Sequence, residues 1–305
     1  MKIFVAGATG VIGRWLVPHL VSAGHEVTAV GRTPAKRAAL GGQGATSVEV
    51  DLFDPESLRG PMAVQDVVIN LATSIPPTWR MLLPGAWKET DHIRRSASAN
   101  LVDAAIAGGV KRFIQESFAP TYPDSGDRWI DESVPLQPTK YNLTVLDAEA
   151  SAKRFTQSGG VGIVMRFGWF YGTDPQTRDI MRFVRMGWVP IPGLPDAYFS
   201  PVSHEDAAAA VFAALDVPAG SYNVVDDEPL PRREYFRLLA QALDVQPPKS
   251  PPRWISPVFG SLGDLMGRSL RVSNHKLREA SAWQPNYPSV REGWPAIVAA
   301  RHRPA

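Results

Sequence analysis

The chain has 305 residues, a formal net charge of +2 and no cysteine. Lys and Arg are interleaved with Asp and Glu throughout, which excludes a basic face for nucleic acid, and no run approaches the roughly 18–20 apolar residues of a membrane span. Without cysteine there are no disulfides, thiol nucleophiles or thiolate metal sites; His19, His25, His92, His204, His275 and His302 show no i,i+4 ligand pairing, so no metal is expected. The first residues read directly into a strand with no signal-peptide pattern, and a cytoplasmic location follows by default.

Residues 2–6 form a short apolar run, followed by Gly7-Ala8-Thr9-Gly10-Val11-Ile12-Gly13 and an amphipathic stretch over 11–22. This is the pattern of a strand, a glycine turn and a helix. Gly7 permits the tight turn, Gly10 lets backbone approach a pyrophosphate, and Gly13 allows close packing of helix on strand. The helix N-terminus offers N–H groups to phosphate. A second strand over 26–30 completes the spacing of a dinucleotide-binding βαβ unit. It ends in Gly31-Arg32-Thr33-Pro34-Ala35-Lys36-Arg37, with no carboxylate for a ribose 2′-hydroxyl. Arg32 can clamp a 2′-phosphate, with Lys36 or Arg37 adding charge, so NADP(H) is favoured and NAD(H) stays open. The alternative for this loop is a solvated basic helix start.

Further strands are predicted over 46–50, 66–71, 111–116 and 161–167, with helices over 34–40, 86–107 and 139–158. Asp51 and Leu52 then flank the adenine, and Leu71 and Ala72 lie under the cofactor's centre. The alternation predicts an α/β fold, a Rossmann-type doubly wound parallel sheet over 1–172. From 173 to 305 the chain turns rich in Pro, Gly and Trp, then gives a helix over 204–215, a strand at SYNVV and three further helical segments, with PPKSPPRW at 247–254 as a rigid connector. This part reads as a smaller substrate-binding region that partly returns to the sheet.

The segments GATGVIG (7–13), VKRFIQES (110–117), DESVPLQPTKYNLTVLDAE (131–149), RFGWFYG (166–172) and VSNHKLREASAWQPNYPSVREGW (272–294) follow one another as landmarks do in the extended or atypical short-chain dehydrogenases/reductases, and the chain resembles that NAD-dependent epimerase/dehydratase family over its whole length. The resemblance implies NAD(P) across the strand ends, with Phe167 and Tyr141 among its contacts, and a substrate under the C-terminal region. It also implies a working set of Asn, Ser and Tyr-x-x-x-Lys. The Asn falls on Arg94, the Ser on Phe118, the Tyr on Tyr141 and the Lys on Val145.

Only the tyrosine is retained. Val145 can neither ease ionisation of a phenol by positive charge nor hydrogen-bond a nicotinamide ribose. Tyr141 is therefore expected to serve as a proton donor and not as a base, or to be packing alone. Lys140 cannot substitute, lying ~100° around a helix from Tyr141. Ser117 replaces Phe118 only if the chain has already left the sheet there or bulges. Glu116 is an acid or base candidate, or an exposed strand-end residue; Arg94 either points into the cleft or is solvated beside Arg95. Asp206 reads first as a helix-cap carboxylate.

Trp79, Phe118, Trp169, Tyr171 and Trp188 fall near the strand ends and favour an apolar or ring-shaped small-molecule substrate, although large aromatics are as often core. No nucleic-acid or membrane partner is expected, and a homodimer is compatible with the sequence. Two functions stand: an NADP(H)-dependent oxidoreductase or epimerase-like enzyme acting on a carbonyl or hydroxyl compound with a rebuilt active site, or a dinucleotide-binding protein without redox turnover, such as a sensor, scaffold, cyclase or isomerase.

Overall fold

The computed structural model describes residues 1–77, 80, 81, 83, 85–189, 194–250 and 260–301. Strand β1 (Lys2–Ala6) leads through the glycine turn into α1 (Gly13–Ser22), followed by β2 (Glu26–Val30), α2 (Pro34–Gly42), β3 (Thr46–Val48), α3 (Pro55–Met62) and β4 (Val67–Asn70). Helix α4 (Lys88–His92) passes through a π-helical turn at Ile93–Ala97 into α5 (Ser98–Ala107) and then β5 (Arg112–Phe118). After β6 (Trp129–Ile130) come α6 (Val145–Gln157), β7 (Val161–Phe167), β8 (Trp169–Tyr171), α7 (Pro175–Arg185), β9 (Tyr198–Phe199), β10 (Pro201–Ser203) and α8 (His204–Ala213). The described elements end with β11 (Gly220–Val224), β12 (Leu230–Pro231), α9 (Arg232–Ala242), α10 (Gly260–Gly267), β13 (Arg271–Val272), α11 (His275–Ala280) and α12 (Val290–Ala300).

Seven parallel strands in the order β11-β7-β5-β4-β1-β2-β3 make the central sheet. The order reverses between β1 and β4, the switch point at which doubly wound folds open a crevice beyond the strand C-termini. Parallel strands buried on both faces require near-continuous apolar sequence, and VVIN in β4 and VGIVMRF in β7 supply it. On one face Ile3, Val5, Ile69 and Ile114 pack with Leu16 and Leu20 of α1 and Ala207 and Val211 of α8. On the other, Phe4, Val68 and Phe113 pack with Leu58 of α3, Leu101 of α5 and Phe155 of α6.

The chain beyond residue 172 divides its packing. α8 and β11 join the central sheet, whereas Met181 of α7, Phe199 of β9, Tyr235 and Leu239 of α9 and Trp294 of α12 form a core of their own. Arg268 ties this part to the segment that follows β5, with Nη1 donating to the carbonyls of Tyr122 and Gln137, both at 2.7 Å.

Four sequence expectations are corrected. α6 begins at Val145 and not at 139, because Asn142 accepts from the Thr139 amide at 2.6 Å and donates to Thr121 Oγ1, which holds 139–144 as a turn. The helix expected over 86–107 is broken by the π-helical turn. α3 was hidden by Gly60 and Pro61, yet forms because Asp54 accepts from the Glu56 amide and Pro55 fits the first helical position. Four helices, α9 to α12, follow β11 instead of three. Residues 251–254 of the expected connector and Trp79 lie outside the described residues.

Candidate active site

The glycine turn is built for close approach. Gly7 has φ +79°, and a Cβ there would stand 2.4 Å from the Leu71 backbone; a Cβ on Gly13 would stand 2.4 Å from the Gly7 carbonyl oxygen. Both are required by the packing of β1, α1 and the end of β4. Gly10 differs: its Cβ would meet only Gly7 O, at 3.1 Å, and is otherwise open. α1 begins with no side-chain cap and no acidic residue in its first turn, which leaves its positive end to an anion. Leu71 and Ala72 continue β4 beneath this turn, fixed by the buried Asn70, whose Oδ1 accepts from the Ala72 amide while Nδ2 donates to Ser98 Oγ and Gln115 Oε1.

At the end of β2, Arg32 and Lys36 are exposed. Arg32 lies 3.5 Å from Glu89 of α4, in an ion pair open to solvent. Arg37 is committed to the Gly31 carbonyl and to Glu49. After β3, Asp51 Oδ1 holds the Phe53 amide at 2.9 Å, and Leu52 is half-buried against the core.

The end of β5 carries the ionisable groups. Arg94, turned inward by the π-helical turn, is 4% exposed and lies 3.8 Å from Glu116; its neighbour Arg95 is the exposed one, paired with Asp147. Burial pushes the Glu116 carboxyl above its usual range and Glu149 adds to this, while Arg94 opposes it. Glu116 Oε2 has no hydrogen-bond partner. Glu116 is thus neither an exposed strand end nor in hydrogen-bond contact with its countercharge.

Ser117 faces the other way. Its Oγ donates to Glu149 Oε1 at 2.5 Å, and Glu149 holds Arg166 through two bonds of 2.9 and 2.7 Å. Arg166 donates to Tyr122 Oη at 2.7 Å, and Tyr122 donates to Asn223. Burial, more than Arg166 can offset, pushes the Tyr122 phenol up to about 12. Ser117 belongs to this internal chain. Sequence reading missed Glu149, Arg166 and Tyr122; the available signal was Arg166 interrupting an otherwise apolar strand, since a buried charge demands a partner.

Tyr141 lies in the turn before α6, half-buried, with its ring edge-on to Trp87 at 5.7 Å. Val145 is the first residue of α6 and fully buried. The aromatic positions separate. Phe118 and Trp169 meet edge to face at 5.3 Å, and Trp169 stacks on Phe199 at 5.4 Å. Tyr171 is 1% exposed against Trp294 and is core, because Gly293 admits its ring. Trp188 is exposed beside Lys249, apart from this group. Phe167 is fully buried against Phe170, so its side chain has no surface for a cofactor. Asp206 accepts from Ser203 Oγ and from the amides of Asn286 and Tyr287, a structural cap. Among the described residues no cluster of metal-ligating side chains occurs, and no helix is long and apolar enough to cross a membrane.

A seven-stranded doubly wound sheet with an open glycine turn at its switch point defines a Rossmann-type dinucleotide-binding protein, and the turn, the bare helix end and the exposed Arg32 fit such a cofactor. The chain belongs to the NAD(P)H-binding family, whose model matches residues 7–218, and is an oxidoreductase of the short-chain dehydrogenase/reductase type. It is 32% identical to a 3-diazoavenalumate denitrifying reductase from Streptomyces sp., over 96% of this chain and 99% of that protein. It is 26% identical to a 3-beta-hydroxysteroid dehydrogenase from Mycolicibacterium neoaurum, over 77% of this chain and 68% of the relative. Its fold is that of the UDP-glucose 4-epimerase of Thermotoga maritima, solved with UDP-glucose (TM-score 0.80, 21% identity, 98% of each chain). It is also that of the human epimerase family protein SDR39U1 with NADPH (TM-score 0.79, 21% identity, 98% of this chain and 99% of the other).

Proposed function

We propose that this protein is an NADP(H)-preferring reductase that directs hydride onto a small conjugated aromatic compound, by a reaction that uses no tyrosine–lysine proton relay. The observation that carries this reading is Val145, fully buried where the resemblance requires lysine. The Ser117 hydroxyl is likewise engaged, donating to Glu149.

Carbonyl reduction needs a proton at oxygen as well as hydride at carbon, and a positioned acid to give it. Replacement of a diazonium group by hydrogen needs the hydride but no proton and no acid. The hydride pair forms the new C–H bond, the pair of the breaking C–N bond leaves with dinitrogen, and charge balances without a proton. The Streptomyces relative, similar along nearly the whole chain and named for denitrifying reduction of a diazo compound, supports this class.

A bound reduced nicotinamide supplies the hydride. Gly7, Thr9, Gly10, Val11, Ile12 and Gly13 would hold the pyrophosphate, Asp51 and Leu52 the adenine side, and Leu71 and Ala72 the centre. Arg32 and Lys36 would meet the 2′-phosphate. Phe118, Trp169 and the Trp87–Tyr141 pair present ring surface to orient a flat substrate and exclude water. Arg94 and Glu116 form the charged floor at the end of β5.

The test is NADPH oxidation measured against a hydroxy-diazo-cinnamate and against ketone and aldehyde analogues of the same ring, with dinitrogen and the C–H product quantified. One NADPH per dinitrogen, with the carbonyl compounds inert, is expected. Turnover of the carbonyls with the diazo compound inert overturns the reading.

A further inference from the structure

Arg232 opens α9, and its guanidinium is interior: the residue is 3% exposed, and neither Nε nor Nη1 has a hydrogen-bond partner. Nη2 donates to the Met266 carbonyl of α10, and Cζ lies 5.1 Å from the centroid of the Phe199 ring. Among the described residues no carboxylate pairs with it. The neighbouring arginines show that carboxylates are not scarce here: Arg233 pairs with Asp196, Arg237 with Glu234, and Arg291 with Glu228 and Glu234.

A guanidinium stays charged and carries five N–H donors, so one carbonyl and one ring face leave it far from satisfied. Burial alone pulls its ionisation down to about 10, the nearby Tyr235 opposing. An uncompensated interior cation is unfavourable unless something anionic completes it.

Its place in the molecule indicates what that is. From the end of β5 a wall of rings runs from Phe118 to Trp169 and on to Phe199, and Arg232 lies at the far end of that wall. Trp169 and Phe199 are stacked only 8° from parallel, and Phe118 and Trp169 keep partial exposure. Phe199 and Arg232 are buried, at 2% and 3% exposure, so a flat conjugated ligand seated against Phe118 and Trp169 would reach the guanidinium by displacing this packing.

We propose that Arg232 is the anion-recognition point of the substrate pocket, and that it takes the carboxylate of a planar conjugated aromatic acid in place of its contact with Met266. This rests on the reductase reading above and adds the acidic end of the substrate to it. A carboxylate matches the single fork of donors and the single charge; a phosphate dianion or diphosphate would bring charge that one arginine among rings cannot balance.

The experiment is calorimetric titration of the NADP⁺-saturated protein with 4-hydroxycinnamate, its methyl ester and UDP-glucose, using the parent, Arg232→Met and Arg232→Lys. The parent should bind the acid at least tenfold more tightly than the ester. Arg232→Met should lose that preference while keeping the ester affinity, and Arg232→Lys should retain part of it. Thermal unfolding of Arg232→Met should show a midpoint equal to or above the parent's, since an uncompensated interior cation has been removed. Equal affinities for acid and ester in the parent, no binding of either, or an acid preference that survives Arg232→Met overturns the assignment. UDP-glucose binding in preference to the acid, lost in Arg232→Met, overturns it in favour of phosphate recognition. Binding is read without turnover, so a failed reductase reading appears separately, as absent NADPH oxidation with the acid preference intact.

Discussion

Arg32 and Glu89 compete for what Arg32 does. Their 3.5 Å pair is open to solvent and therefore weak, and a 2′-phosphate offers Arg32 a better-charged and bidentate partner. NADPH is expected to bind more tightly than NADH, Arg32→Asp to reverse the order, and Glu89→Gln to raise NADPH affinity alone; calorimetry with both cofactors checks this, and equal affinities in the parent would remove Arg32 from the site. Asp226 makes a second residue-level case. It is buried at the end of β11, and burial pushes its carboxyl well above the usual carboxylate range, with Asp227 and Glu228 pushing the same way. The folded state therefore prefers the protonated acid, whose contribution is complete below the ordinary range and is lost as pH rises through the elevated value. Asp226→Asn should stabilise the protein by about 1–3 kcal/mol at pH 8 and hardly at all at pH 4, measured by urea unfolding. Legibility at this scale followed locality. The three glycines could be read because a turn is a local event; the burial of Arg94 could not, because it depends on a π-helical turn and on a strand distant in sequence.

At the scale of elements, the start of α6 decides most. With Tyr141 in a turn and Val145 as the first helical residue, the two do not share a helical face as a tyrosine–lysine pair would. Val145→Lys is therefore expected not to restore a relay but to bury an ammonium group, costing upwards of about 3 kcal/mol. Val145→Met should be tolerated within about 1.5 kcal/mol. Denaturant unfolding of both variants checks this; a stable Val145→Lys protein with new alcohol oxidation at neutral pH would show that the pair can be rebuilt. The sequence pattern put this helix too early because 139–144 lacks any strong breaker after Pro138, and tertiary bonds such as those of Asn142 to Thr121 and of Thr144 to Asp91 hold it as a turn. Strand faces were readable in advance: alternation along β5 places Ser117 opposite the position of Phe118, and Ser117 is found on the side of α6.

For the whole molecule, the doubly wound sheet was legible from alternating apolar runs, and β1, β2 and β7 begin and end where the sequence pattern puts them. Its connection to the C-terminal core was not, since Arg268 reaches back more than a hundred residues to Tyr122 and Gln137. Arg268→Ala should cost about 1–3 kcal/mol and expose the 120–137 segment to proteolysis, with NADPH affinity unchanged. What this arrangement does chemically turns on whether a proton donor is needed. Tyr141→Phe keeps the ring against Trp87 and removes only the hydroxyl, so its turnover of an arene diazonium substrate with NADPH is the most direct measurement. A rate within about threefold of the parent is expected; a fall of ~10²–10⁴, the loss typical of a general acid, would contradict a hydride transfer without a relay.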